Sequence, residues 1–389
     1  MTDRDETPVA DRRHMARALE LADRGRFSAD PNPRVGCVLV REGREVGAGL
    51  HWRTGEPHAE VNALRAAGEA ARGATAYVTL EPCSHHGRTP PCTEALLAAG
   101  VNRVVVAMRD PNPRVAGSGL AQLREAGVQV ESGLLEAEAR ALNPGFVARM
   151  ERGRPWVRVK LAASLDGRTA MASGESRWIT GEAARHDVQL WRARAGAILT
   201  GSGTVVADDP RLNVRLSPQD LAASAGFPAA PEFAGLPGRQ PLRVVLDARL
   251  RTPPGALILR GSPTWILTSP EQAETPAAAA LRGQGAEVRP VALMDEHPEG
   301  GLDPGAVLAE LARAEINELH VESGPGLAGA LARAGCVDEW LLYQAPVLLG
   351  STARPLLEWP LARMEERAEL ELLEVRQVGD SLRLRLRTR

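Results

Sequence analysis

Aromatic side chains make up only 3% of the 389 residues, too few for the stacking platforms that hold single-stranded nucleic acids. Basic and acidic residues nearly cancel, 47 against 49, so a net charge of −2 offers no field for non-specific attraction to phosphate backbones. No apolar run approaches the roughly 20 residues of a membrane helix. The opening MTDRDETPVADRRHMARALE lacks an apolar signal core, and the expected setting is the cytoplasm. Four cysteines are too few for a disulfide scaffold, and in a reducing compartment metal binding is the reading to test for them. Lysine is nearly absent: Lys160 stands alone among 46 arginines.

What is present is an ordinary globular composition, 44% hydrophobic and 25% charged, in a chain too long for one hydrophobic core. Apolar positions recur at helical spacing from about residue 11 to a stop at Gly25. VGCVLV (35–40) and REVGAGL (44–50) read as a hairpin. Helix is expected at 58–71, strand at 74–80, helix at 93–100, strand at 103–108, helix at 119–127 and strand at 128–132; such alternation implies a layered α/β domain. LEAEARALNPGFVARM reads as one further helix, and the pattern breaks at ERGRPW near residue 150. The expected domains are therefore 1–150 and 151–389.

The second domain repeats the alternation, with strands at 197–201, 243–247, 264–268 and 317–323. It ends in three consecutive strand-like runs, WLLYQAPVLL, ELELLEVRQVG and SLRLRLR, which suggests a mixed sheet with an antiparallel edge. Residues 217–241, rich in Pro, Ala and Gly without a clear period, are expected to form a mobile loop or insertion.

Zinc deaminases carry HxE followed by PCxxC. Here His58, Ala59 and Glu60 open a predicted helix, Pro82 and Cys83 follow a strand, and Cys92 begins the next helix, with eight residues separating the cysteines rather than two. One imidazole and two thiolates leave the fourth tetrahedral position of zinc open for water, whereas a structural site fills all four. His58 and Glu60 lie about 200° apart on an ideal helix, so both can face one metal only if it sits over the helix N-terminus. In that arrangement zinc lowers the pKa of water to about 7, and Glu60 takes the proton and delivers it to the ring nitrogen and the departing amine. The plain alternative makes His58 and Glu60 surface positions and the cysteines packing residues; the four in order on helix, strand and helix favour the metal. Cys37 and Cys336 are expected to be packing residues.

In the second half GSGTVVADDP exits a strand, and GPGLAG (324–329) fits GxGxxG between a strand and a helix; either could cradle phosphates with backbone amides. A lone GxGxxG is a weak signal, for which a close-packed turn is the favoured reading without further context, and no acidic residue stands at the offset of a standard Rossmann domain.

Together DPNPRVGCVLV, HAEVNAL, LEPCSHHGRTPPC, VKLAASLDGRTAMASGESRWITG and GSGTVVADDPRLNVR closely resemble the bacterial bifunctional riboflavin biosynthesis deaminase/reductase family over most of the chain, 217–241 excepted. The eight-residue spacing between the cysteines is that family's pattern. The resemblance implies a cytidine deaminase-like α/β/α sandwich with His58, Cys83 and Cys92 on zinc and Glu60 as the proton carrier. It implies that Asn32, His51, His85 and Arg88 contact 2,5-diamino-6-ribosylamino-4(3H)-pyrimidinone 5′-phosphate, Arg88 standing where a lysine is common. For the second domain it implies a dihydrofolate reductase-like fold that uses NADPH to reduce the ribosyl side chain to ribityl. Ala162, Trp178, Thr204, Asp208 and the run Gly324, Pro325, Gly326, Leu327, Ala328, Gly329 and Ala330 would contact NADPH. Ser176, Arg192, Leu212, Arg215 and Glu322 would contact the second substrate. Lys160, in KLAASLDG, is a further candidate to donate to substrate or cofactor, against the plain reading of a solvated strand residue. A decayed reductase half and a nucleic-acid base deaminase are the alternatives. The intact GESRWIT and DDPRLNVR oppose the first, near-neutral charge and scarce aromatics the second. The expected partners are small phosphorylated pyrimidines, with neither nucleic acid nor membrane, and a homo-oligomer is left open.

Overall fold

The computed structural model describes residues 6–86, 90–113, 115–227, 239–294 and 301–389, and the chain divides into two compact units. Met1–Gly153 and Pro218–Leu236 make the first; Arg154–Ser217 and Pro237–Arg389 make the second. The break falls at Gly153, which ends a helix at a positive φ of 65° that favours glycine.

The first unit runs α1 (Glu6–Arg24), β1 (Gly36–Arg41), β2 (Arg44–Leu50), α2 (Ala59–Ala67), β3 (Thr75–Val78), α3 (Cys92–Ala98), β4 (Arg103–Val106), α4 (Ser118–Glu125), β5 (Gln129–Ser132), α5 (Glu136–Leu142) and α6 (Pro144–Arg152). Its sheet has the order β2-β1-β3-β4-β5, with β1 antiparallel to both neighbours and β3, β4 and β5 parallel. Period-two alternation puts a helical layer on each face. Val38 and Val40 pack with Met15 and Ala18 of α1 and Phe146 of α6; Cys37 and Leu39 pack with Ala59 and Ala63 of α2 and with Leu96 and Leu120. At Gly49 a Cβ would come within 2.5 Å of the Ala59 carbonyl oxygen, so only glycine lets α2 lie directly on the hairpin. This close approach fixes the start of α2. The helix expected over LEAEARALNPGFVARM is two, α5 and α6, because Pro144 cannot sit inside a helix and instead opens the second.

The second unit contributes β6 (Trp156–Ala163), β7 (Arg168–Ala170), α7 (Glu182–Arg194), β8 (Ala197–Gly201) and α8 (Ser202–Asp208). The chain then enters the first unit as α9 (Pro218–Ser224) and returns as β9 (Leu242–Leu246), β10 (Thr264–Thr268), α10 (Pro276–Arg282), β11 (Glu287–Pro290), α11 (Pro304–Arg313), β12 (Glu318–Glu322), α12 (Pro325–Arg333), β13 (Glu339–Gln344), β14 (Arg354–Pro355), β15 (Leu370–Val378) and β16 (Ser381–Thr388). The described part of 217–241 is thus not a simple loop: α9 forms, and Phe227 seats its ring edge-on to Trp52 at 5.5 Å with the Arg24 guanidinium 4.9 Å from its centre. Residues 228–238 lie outside the described residues.

The nine-stranded sheet has the order β11-β10-β9-β8-β12-β6-β13-β16-β15, parallel as far as β13 and antiparallel at the β15–β16 edge. The last three strand-like runs are three adjacent strands in the order β13-β16-β15, with β16 antiparallel to both neighbours, so the expected antiparallel edge is present. One face is apolar, with Val157, Val159, Leu319 and Val321 in the core. The other is ionic. Arg158, fully buried, donates to Glu318 at 3.0 Å and to Glu339 at 2.8 Å and lies 4.6 Å from the ring of Trp191 on α7; Arg194 of α7 also binds Glu318. The network docks α7 on the sheet. Removing one member of such a buried set strands the others, so Arg158→Ala should lower the urea-unfolding free energy of the second unit by about 3–5 kcal/mol. A loss below about 1 kcal/mol, the range of an exposed pair, would show that the network does not hold α7.

Candidate active sites

At one edge of the five-stranded sheet the ends of four strands meet. His51 follows β2, Asn32 precedes β1, Cys83 follows β3 and Asp110 follows β4, while the registers Gly36↔Leu50, Cys37↔Val78 and Val78↔Val106 bring those ends side by side. α2 and α3 begin there too. His58 is the N-cap of α2 and Cys92 the first residue of α3, so His58 and Glu60 share one metal position over the helix start, as their angular separation requires. Asn62, donating to the carbonyls of Leu50 (2.9 Å) and Pro57 (3.3 Å), ties that start to β2.

His58 Nδ1 lies 3.6 Å from Cys83 Sγ and 3.3 Å from Cys92 Sγ, and the three donors fall within 4.8 Å of one another. Bonds of zinc length at tetrahedral angles put nitrogen and sulfur about 3.6 Å apart, so the donor set and its spacing fit the ion. A hydrogen bond from Cys92, with others from His58 and the Cys92 backbone N–H at 3.3 Å, holds the Cys83 thiol down to about 4; Cys83 and burial together push Cys92 far up. Two thiolates this close repel each other, so deprotonating both calls for a compensating cation. Hydrogen bonding to Cys83 raises His58. Glu60 is 3% exposed and hydrogen-bonded to Cys92, and burial pushes its carboxyl up to about 7. Cys37, packed against Ala59 with burial and nearby Glu60 raising its thiol, and Cys336 are buried and are not among the three metal donors.

Asn32 and His51 also meet here. His51 Nδ1 faces the Pro57 carbonyl at 3.3 Å and Nε2 faces Asn32 Nδ2 at 3.0 Å, which leaves the Asn32 amide oxygen free of this pair. Burial pulls His51 down to about 4, so it stays neutral near pH 7 and its Nε2 accepts the Asn32 proton. His85 is exposed beside this edge, and Arg88 lies outside the described residues. Asp110, which sequence reasoning missed, faces Cys83 and His85, and burial raises it to about 6. The visible signal for it is a repeated hexapeptide, DPNPRV, at 30–35 and again at 110–115.

In the second unit a cleft of about 1200 Å³ opens over the carboxyl ends of β6, β8 and β12, ample for a dinucleotide and a second small molecule. Lys160 and Glu322 are partners in the β6–β12 register, and Arg192 of α7 pairs with Glu322 at 2.5 and 2.9 Å. Burial alone would raise Glu322, but Arg192, His320 and Lys160 hold it well below the usual carboxylate range. Burial lowers Lys160, which is partly accessible from the cleft rather than freely solvated. Arg215 stands at the rim, its backbone N–H held by Gln189 at 3.0 Å. Ala162, Ser176, Trp178, Thr204, Asp208 and Leu212 line the same cleft, Trp178 being 70% exposed.

Gly324 caps α12 and, with Pro325, Gly326, Leu327 and Ala330, also lines the cleft. Two members of the run do not: Ala328 is packed in the apolar core, and a Cβ on Gly329 would come within 2.3 Å of the Glu358 carbonyl oxygen. The third glycine of GxGxxG therefore serves chain packing. Arg249 and Arg251 at the far wall were not singled out in the sequence, where arginine is too common to signal anything; Arg251 donates to Ser202 at 3.0 Å.

Residues 155–384 match the RibD C-terminal domain model, and residues 8–108 match the cytidine and deoxycytidylate deaminase zinc-binding region. The riboflavin biosynthesis protein RibD of Escherichia coli is 51% identical over 97% of this chain and 99% of its own length. That of Haemophilus influenzae is 46% identical over 95% of each. Among solved structures, Acinetobacter baumannii RibD superposes with a TM-score of 0.86 at 44% identity, covering 98% of this chain and 99% of the other. The Thermotoga maritima diaminohydroxyphosphoribosylaminopyrimidine deaminase/5-amino-6-(5-phosphoribosylamino)uracil reductase gives 0.81 at 31% identity, covering 98% and 100%.

Proposed function

This chain belongs to the RibD family of bifunctional riboflavin biosynthesis enzymes, and from that premise we propose which residues carry each of its two reactions. It is a zinc-dependent deaminase and an NADPH-dependent reductase. We assign the deaminase to the first unit and the reductase to the second.

The deaminase substrate is 2,5-diamino-6-ribosylamino-4(3H)-pyrimidinone 5′-phosphate. His58, Cys83 and Cys92 hold zinc, which supplies the Lewis acidity that makes water nucleophilic near neutral pH. Glu60 takes a proton from the attacking water and passes it to the ring nitrogen, then carries a second proton from the added hydroxyl, as that group becomes the carbonyl, to the departing amine, which leaves as ammonia. Its burial supports that role, because a carboxyl near pH 7 both accepts and returns a proton readily. Asn32, oriented by neutral His51, presents its amide oxygen to the pyrimidine; the exposed His85 is assigned to the phosphoribosyl end, and Arg88 is assigned there by the family's pattern alone. The observation that supports this reading most is the convergence of the three metal donors with a 3% exposed Glu60.

In the reductase NADPH supplies the hydride that C1′ of the opened ribose accepts, giving 5-amino-6-(5-phospho-D-ribitylamino)uracil. Thr204, Asp208, Trp178 and the Gly324 end of α12 hold the cofactor. Lys160, Ser176, Leu212 and Glu322 orient the substrate. Arg192 is committed to Glu322, so Arg215 is the cation directed at the phosphate.

The chemistry is that of small phosphorylated pyrimidines, and near-neutral charge supports a protein that binds no nucleic acid. No helix among the described residues is long and apolar enough to cross a membrane, in keeping with a cytoplasmic enzyme. The β15–β16 edge exposes Leu370, Leu372, Val375 and Leu382, which supports self-association. Light scattering of the purified chain should give a multiple of 41.5 kDa; a monomer mass at micromolar concentration removes that reading.

Glu60→Gln should retain one zinc per chain while slowing ammonia release by about 10²–10⁴-fold, and Cys83→Ser should lose metal and deamination together. Retained deamination in Glu60→Gln overturns the proton-carrying role. For the reductase, NADPH oxidation followed at 340 nm on the deaminated substrate should persist in Arg215→Ala with a KM raised about 10- to 100-fold, the cost of one charge-assisted contact. An unchanged KM means that the phosphate is held elsewhere, and no oxidation by the folded wild type removes the reductase assignment.

A further inference from the structure

α4 begins without a side-chain cap of its own: its N-cap is Gly117, held at a φ of 88°. The free N–H groups of that first turn are nevertheless satisfied, by a carboxylate 36 to 39 residues earlier in the chain. Glu81 Oε1 accepts from Gly119 (2.9 Å) and Leu120 (3.3 Å), and Oε2 accepts from Gly117 (2.9 Å) and, outside the helix, from Asp110 (3.1 Å). Four donors on one carboxylate is its full capacity. The side chain is 4% exposed, and its own N–H donates to the Met108 carbonyl at 3.0 Å, so Glu81 is held from both ends.

Glu81 directly precedes Pro82 and Cys83. The backbone of this turn and that of α4 are pressed together: a Cβ at Gly119 would lie 2.1 Å from the Pro82 carbonyl oxygen. Ser84 Oγ meets Ser118 Oγ at 2.7 Å, and Thr93, which donates to the Cys83 carbonyl, also bonds Gln122 of α4 at 2.6 Å. The carboxylate therefore lies where the ligand-bearing turn and the Asp110 loop are joined, and Asp110 in turn orders its own loop by accepting from the Asn112 N–H at 2.8 Å.

We propose that Glu81 is a positioning residue of the deaminase, clasping Asp110 and the Gly117–Leu120 start of α4 to the Cys83 turn and so setting where Asp110 stands at the edge of the site. The proposal rests on the deaminase reading above. Glutamine keeps the shape of the side chain but offers one acceptor oxygen, and its amide N–H groups confront two backbone donors that nothing else satisfies. The three metal donors do not depend on the clasp for their identity, so the ion is kept while the neighbouring loop is loosened.

The test compares wild type, Glu81→Gln and Glu81→Asp as full-length, zinc-loaded protein. In Glu81→Gln, amide exchange of Asp110, Gly117, Gly119 and Leu120 should quicken about tenfold, and zinc loss to a chelator should be faster while the metal content stays at one per chain. At that full occupancy KM for deamination should rise about tenfold, more than kcat falls, with the reductase rate unchanged. Glu81→Asp keeps the charge with a shorter reach and should lie between the two; it carries the same readouts should Glu81→Gln fail to fold. Unchanged exchange at these amides, or an unchanged KM once they are loosened, overturns the proposal. A wild type that binds zinc yet releases no ammonia from the pyrimidine overturns the underlying deaminase reading instead.

Discussion

Ionisable side chains taken out of water must be neutralised by one another or by a cation, and both sites of this chain are built on that requirement. In the first unit two thiols and an imidazole converge with a buried carboxylate, a set that cannot shed all its protons without a positive ion among them. In the second the compensation is internal. Arg158 answers Glu318 and Glu339 beneath α7, and Arg192, one residue from the Trp191 ring that Arg158 faces, answers Glu322 at the cleft. Charges fixed by such partners keep their positions when a substrate arrives, which is what precise binding needs.

The two sites differ in how far they could be read from sequence, and the reason is physical. The deaminase residues sit at strand ends and helix starts, where a few consecutive positions carry both the local structure and the chemistry. His58-Ala59-Glu60 and Pro82-Cys83 are such positions, and spacing alone placed the imidazole and the carboxylate over one helix start. The strand order, which places Asn32 and His51 beside Cys83, is a matter of long-range pairing and was legible only through the family resemblance. The hexapeptide at 110–115 passed unnoticed because a turn sequence with two prolines explains itself locally.

In the reductase half the strands other than the short β7, β11 and β14 were legible as apolar runs between turns, and the antiparallel edge as alternation. α7 was not, although it carries Arg192. Its buried side includes Gln189, Trp191 and Arg192, so the apolar period that announces an amphipathic helix is broken by the residues that make the ionic face. α9 was hidden for a related reason: a helix of about two turns, followed by Phe227 seated on Trp52, has too few apolar positions to show a period, and what holds it is contact with residues far away in sequence.

Lys160, the one lysine in a chain that otherwise uses arginine, stands on the same ionic face. Structural ion pairs and phosphate contacts favour a planar, permanently charged fork, and the sets around Glu318, Glu339 and Glu322 use it throughout. At position 160 the requirement differs. The side chain lies at the end of β6, next in register to Glu322 and facing the cleft, and burial brings its pKa down. An arginine there would keep its proton at any working pH. An ammonium whose pKa burial lowers gives up a proton more readily than a guanidinium, and under the reductase assignment proposed above that is the property the reaction asks for, since a hydride added to C1′ leaves its nitrogen to be protonated.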